Sequence, residues 1–195
     1  MSMTDQIALF GNGGFLADYL RTRQQSALGL VEQLSPQQLL GGNAEALAQQ
    51  IVEQMSIEPL ALDLSKMERQ QTNTSISKEL EASDYGMPVR RQAMVRGYVM
   101  HYIIPFSGEP TLWQLSNGPR SEYTGAVNAE LRTLTLTLQN TTDVDSHWYQ
   151  RQMEQTMHRL DVLISDQAME LRKYHAELAH AVQSAVARRQ LHARV

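Results

Sequence analysis

Apolar residues recur at spacings of three and four between Phe15 and Leu34: Phe15, Leu16, Tyr19, Leu20, Ala27, Leu30, Val31 and Leu34. That period predicts an amphipathic helix. Ahead of it, residues 1–13 read as a loose segment, with Gly11 and Gly13 beside Gly14 as flexible points. Ser35-Pro36 predicts a cap and the start of a short second helix, because proline is pre-shaped for a first helical position. Gly41-Gly42 breaks it. Asn43 can cap a third helix carrying Leu47, Ile51, Val52 and Met55.

The period then shortens to two. Leu60, Leu62 and Leu64 alternate with polar or small residues and predict a strand. Residues 69–88 are polar and read as a hairpin or a long loop. Residues 92–104, QAMVRGYVMHYII, form the strongest strand signal, and both faces are largely apolar, so the strand should be central. Residues 131–138, LRTLTLTL, place Leu134, Leu136 and Leu138 on one face and threonines on the other. That is a half-buried antiparallel strand with one wet face. Residues 123–131 would supply its hairpin partner.

From Asp145 to the end there is no glycine and no proline. The row Tyr149, Met153, Met157, Leu160, Ile164, Ala168, Leu171, His175, Leu178, Val182, Ala185 predicts one long amphipathic helix, or a helical hairpin folding back near 176–182. Asp143, Asp145 or Ser146 would cap it. A straight helix of that length exceeds a small domain, so part of it should meet a partner helix or another subunit. The order is helices, a small mostly antiparallel sheet, then a long helix. The predicted class is α+β, with an N-terminal helical segment (1–57), a sheet region (58–142) and the long helix (143–195) in one folding unit.

Composition narrows the chemistry. The 195 residues suffice for a core, and 42% apolar with 19% charged residues is ordinary for a globular chain. The net charge of −4 argues against binding nucleic acid by overall charge, though not against a local basic face. There is no cysteine, which excludes disulfides, thiolate metal ligands and a cysteine nucleophile. No apolar run approaches a membrane span, and the N-terminus lacks a basic leader, so a cytoplasmic protein without membrane contact is expected.

Candidate sites are sparse. His175 and His180 are five apart, which puts their rings on different helix faces rather than at the i, i+4 spacing of a zinc helix. The three lysines, Lys66, Lys78 and Lys173, follow Leu64, Ile76 and Leu171 by two residues, so the D/E-x-K element of a restriction-type nuclease is absent. Neither a metal site nor a cofactor loop is expected. Ser107, His101 and Glu109 are the clustered residues an enzyme would have to use, and no catalytic residue is assigned. Basic positions group as Arg90, Arg91 and Arg96 along the central strand, and as Arg188, Arg189 and Arg194 with His180 and His192 in the tail. The tail favours a helix dipole or, alternatively, contacts phosphate.

In 103-IIPFSGEPTLWQL-115, Pro105 ends strand pairing, Gly108 accepts a positive φ, and Phe106, Leu112 and Trp113 anchor the turn. The alternative is a ligand-contacting loop through Phe106, Gly108 and Trp113. This stretch resembles a bacterial family whose N-terminal region carries a strand ending I-P-F-[ST]-G-[DE], then a leucine and an aromatic. There the small sheet precedes a long helix ending in an Arg-Arg segment, here Arg188-Arg189. The chain departs from that pattern after Trp113, with Ser116-Asn-Gly-Pro119 in place of a second proline-containing turn. Longer members of that family carry a PD-(D/E)xK nuclease domain and look like restriction or anti-phage defence proteins. The resemblance implies a non-catalytic module that oligomerises or docks a separate effector, such as a nuclease, through its long helix. The alternatives are a nucleic-acid-binding domain using the arginines, and an enzyme of unrecognised type.

Overall fold

The helical rows of the N-terminal third fold where their period places them. In the computed structural model, α1 spans Leu16–Gln33, α2 Pro36–Leu40 and α3 Ala44–Met55. The structure describes residues 6–11, 13–41, 43–84, 87–118, 122–141 and 147–193, and side chains within 78–91 lie outside that description. α1 buries Leu16, Leu20, Ala27 and Val31. Phe15 is a correction to the expected row: it is the residue before the helix and is 62% exposed. α2 begins with a reciprocal capping box. The Ser35 hydroxyl accepts from the Gln38 N–H, and the Gln38 side chain accepts from the Ser35 N–H. Asn43 stands at the N-cap of α3 but makes no side-chain cap bond.

Of the glycine-marked entry, residues 1–5 and 12 lie outside the described residues, and the rest is tied to the fold. β1 is Ile7–Ala8, and Leu9 and Phe10 are buried. The Phe10 N–H donates to the Trp113 carbonyl at 2.6 Å, and the Gly13 N–H to the Gln114 carbonyl at 2.8 Å. Local composition could not reveal those partners, which are about a hundred residues away.

The sheet holds β2 (Ala61–Leu62), β3 (Glu68–Asp84), β4 (Met87–Ser107), β5 (Thr124–Asn128) and β6 (Thr133–Thr141). With β1 it forms six strands in the order β1-β5-β6-β4-β2, and β3 also pairs with β4. The β3–β4, β4–β6 and β5–β6 ladders are antiparallel. The polar stretch 69–88 is thus neither a loop nor a hairpin of its own: residues 69–84 form one arm of a longer hairpin whose other arm is β4. The strand expected over Leu60–Leu64 stops at Leu62. Asp63 accepts from the Ser65 hydroxyl at 2.5 Å and pairs with Lys66 at 2.9 Å, which starts a 3-10 turn over Leu64–Lys66. Along β6, Leu134 and Leu136 are buried while the threonines beside them are half-exposed, as the alternation requires.

α4 runs unbroken from Trp148 to Ala193, 46 residues or about 70 Å. The helical-hairpin alternative therefore does not occur. Its proposed caps Asp143, Asp145 and Ser146 lie outside the described residues.

By its contacts the chain forms two compact units. One comprises 1–7, 62–106 and 123–160 and contains most of the sheet and the start of α4. The other comprises 8–61, 107–122 and 161–195 and contains α1–α3 and the rest of α4.

Candidate functional site

In the helical unit, α4 turns a regular series of side chains toward the ends of other helices. Ile164, Gln167, Leu171, Tyr174 and Leu178 are buried at alternating steps of three and four, followed by Val182 and Val186. The buried face thus lies one residue away from the expected row at three places: Gln167 replaces Ala168, Tyr174 replaces His175, and Val186 replaces Ala185. The shift brings the Gln167 amide and the Tyr174 hydroxyl inward, and each donates to a backbone carbonyl, while Gln167 Oε1 is buried without a hydrogen-bond partner among the described residues. The Tyr174 hydroxyl donates to the Met55 carbonyl at 3.0 Å, the last residue of α3. Arg189 donates to the Val31 carbonyl in the last turn of α1. Gln190 donates to the Leu39 carbonyl in α2 at 2.9 Å. Gln167 donates to the carbonyls of Leu112 and Leu115 at 3.0 and 2.8 Å, at the end of the 3-10 helix Pro110–Gln114. Helix C-termini leave carbonyls without intrahelical donors. None of α1, α2 and α3 has a basic residue in its own last turn, and α4 supplies the donors instead.

This geometry decides several sequence candidates. Arg189 donates to the end of α1, a partner that the sequence reading of the tail did not name. Arg188 is exposed, and with Leu28, Val31, Glu32, Ala185, Arg189 and His192 it borders an open cleft of about 300 Å³. Arg194 lies outside the described residues. His175 accepts the Ile57 N–H at 3.1 Å, while His180 sits beside the Ser184 hydroxyl on the exposed side. The two rings serve different partners. Among the described residues there is no group of three or more His, Asp or Glu side chains placed to share a metal.

The signature stretch is a core element over much of its length. Met100, Tyr102, Ile104 and Phe106 are buried along one face of β4. Gly108 has φ +97°, and a Cβ there would collide with the Pro59 carbonyl. Glu109 accepts from the Thr111 N–H and hydroxyl, capping the 3-10 helix. Leu112 and Trp113 are fully buried, and the Trp113 ring lies 5.4 Å from that of Phe10. Phe106, Gly108 and Trp113 thus stand inside the fold, not on an open surface. Ser107 and His101 are not brought together: they lie six residues apart on one continuous strand, about 20 Å. His101 bonds the hydroxyl of its register partner Thr137 at 3.1 Å.

The β3–β4 hairpin presents the other distinctive geometry. β6 pairs with β4 from Pro105 to Gly97 and stops at Gly97↔Thr141. β3 continues to pair with β4 from Ser75↔Arg96 to Asp84↔Met87. Among the described residues those ten rungs have no third strand, a ribbon of about 30 Å. At its root the Tyr149 hydroxyl donates to the Tyr98 carbonyl at 3.1 Å, with the Asn140 carbonyl at 3.4 Å. Burial raises the pKa of Tyr149, as it does those of Tyr102 and Tyr174. Arg96 is exposed and borders a shallow cleft with Asn73, Thr74, Ser75, Gly97 and Tyr98. The side chains of Arg90 and Arg91 lie outside the described residues. The backbone register sets Arg90 opposite Glu81 and Arg91 opposite Leu80.

No helix among the described residues is long and apolar enough to cross a membrane. No protein-family model matches the chain, and neither a curated protein nor a solved structure matches it. Sequence reasoning missed Gln167, Tyr174 and Gln190 as capping donors. The available signal was a glutamine lodged in an otherwise apolar four-three row.

Proposed function

We propose that the chain is a non-catalytic interaction module of a bacterial defence-type system, and that the β3–β4 ribbon is its docking element. The observation carrying this reading is the ten rungs from Ser75↔Arg96 to Asp84↔Met87, which extend past the last β4–β6 pair. A two-stranded ribbon alone is marginally stable in water. Among the described residues neither of its backbone edges meets a further strand, which suits strand addition to a separate effector protein. The resemblance of 103-IIPFSGEPTLW-113 to restriction and anti-phage proteins supports a nuclease-type effector. The sequence pattern pointed to α4 as the docking element because its apolar row exceeds a small domain. Much of that row is buried, at Met153, Leu160, Ile164, Leu171, Leu178 and Val182, and this reading therefore assigns docking to the ribbon.

The test shortens the ribbon. Residues 78–93 are replaced by Asn-Gly, joining the register partners Ser77 and Met94 through a two-residue turn. Both proteins are used for affinity capture from native lysate at low and high salt, with co-purifying protein and nucleic acid identified. A nuclease-like protein captured by the full chain and lost with the short ribbon is the expected result. Nucleic acid captured at low salt and released at high salt would replace this reading with one resting on Arg90, Arg91 and Arg96.

A further inference from the structure

We infer that the outer edge of β3 pairs with the β3 edge of a second copy of this chain, antiparallel and about a two-fold axis. The inference uses the near part of the hairpin and does not depend on effector docking by the ribbon.

β3 is 17 residues long and, among the described residues, pairs with β4 alone. Its register is unbroken from Glu68↔Ile103 to Asp84↔Met87, so no bulge turns the edge away. Glu68 through Asn73 are all exposed, as are Ser75 and Ser77. The outer row of N–H and C=O groups is therefore open to a further strand. Sheet proteins blunt such edges with short strands, prolines, bulges or charges placed along them. β3 has no proline and no glycine, and Gln70–Ser77 is an uncharged run of eight residues. A long uncharged window on an open edge is the pattern that strand pairing selects.

The charges bounding that window choose the partner. Glu68-Arg69 precedes it and Lys78-Glu79 follows it. When two copies pair antiparallel about an axis normal to the sheet, facing residues lie on the same face of their own strands. Their numbers must then share parity, and the register must centre on a residue. Centring on Asn73 sets Glu68 against Lys78 of the second copy. Centring on Thr74 sets Arg69 against Glu79 of the second copy. The intermediate alignment would oppose Glu68 to Glu79 and Arg69 to Lys78, like against like, and two-fold symmetry forbids it. The sequence is thus complementary to itself in the registers that symmetry permits. An isologous contact uses both open edges and closes at a dimer.

The test is the mass of the purified full chain by light scattering and sedimentation from micromolar to millimolar concentration. The expected species is a dimer of the 22.0 kDa chain. The double substitution Thr72→Lys with Asn73→Lys places like charges across the axis. It should weaken dimerisation by roughly tenfold or more while leaving circular dichroism and melting unchanged. Glu68→Lys should weaken the Asn73-centred dimer and Glu68→Lys with Lys78→Glu should restore it. Arg69→Glu, and Arg69→Glu with Glu79→Arg, do the same for the Thr74-centred one. These exchanges decide the question should the lysine pair impair folding. A chain monomeric throughout the range, or a dimer that none of the substitutions weakens, overturns the inference. The short-ribbon protein lacks Lys78 and Glu79 and should dimerise more weakly, whereas the charge exchanges at Glu68 and Arg69 keep the ribbon at full length, so this inference and effector docking fail separately.

Discussion

Strand β4 meets two different environments along its length. From Gly97 to Pro105 it is hydrogen-bonded to β6 on one side, and β3 continues on the other as far as Ile103. From Met87 to Arg96 its partner among the described residues is β3 alone. Both halves obey the same alternation, yet Met100, Tyr102, Ile104 and Phe106 are buried while Met94 is 68% exposed. Strand propensity therefore does not separate a core strand from an arm. A third strand and a covering layer do, because a two-stranded ribbon has no face to bury.

The largest expected break in this comparison is Ile104→Ala. Ile104 is fully buried, and the substitution should cost about 2–5 kcal/mol of stability in denaturant melts. Gly97→Val comes next, at the boundary between the halves. A Cβ there would meet the Asn140 carbonyl and the Ile76 side chain, so a loss of about 1–3 kcal/mol is expected. Met94→Ser is the smallest: it should lie within about 0.5 kcal/mol of the parent by the same melts. A Met94 variant as damaging as the Ile104 one would show that the ribbon is part of the core and would remove the basis for treating it as an arm.

The capping series along α4 teaches a related lesson. The helix itself was legible from the lack of glycine and proline and from its apolar period. Its buried face was displaced by one residue at Gln167, Tyr174 and Val186, because reading apolar residues alone prefers Ala168 over Gln167. A glutamine enters a core when carbonyls wait for it, and the carbonyls of Leu112 and Leu115 lie more than fifty residues away. Arg189 carried two meanings in the sequence, phosphate contact or helix-end cation. The structure gives it a partner that neither reading named, the Val31 carbonyl in α1, 158 residues distant. The turn at Gly108 was legible as a turn. Its need for glycine was doubly determined, by φ and by the Pro59 carbonyl, and the second cause was not local.

By itself the sequence determined the α+β class, the three N-terminal helices, a cap at Ser35, the Leu/Thr alternation of β6 and the helical character of the C-terminal stretch. These follow from periods of two and 3.6 and from caps within four residues, which are properties of neighbouring positions. Only the tertiary structure decided that α4 completes the ends of α1, α2 and α3. It likewise placed Phe106 and Trp113 inside, kept Ser107 away from His101 and, among the described residues, left ten rungs of the hairpin without a third strand. Each depends on which distant backbone group meets a given side chain, and no local pattern encodes that.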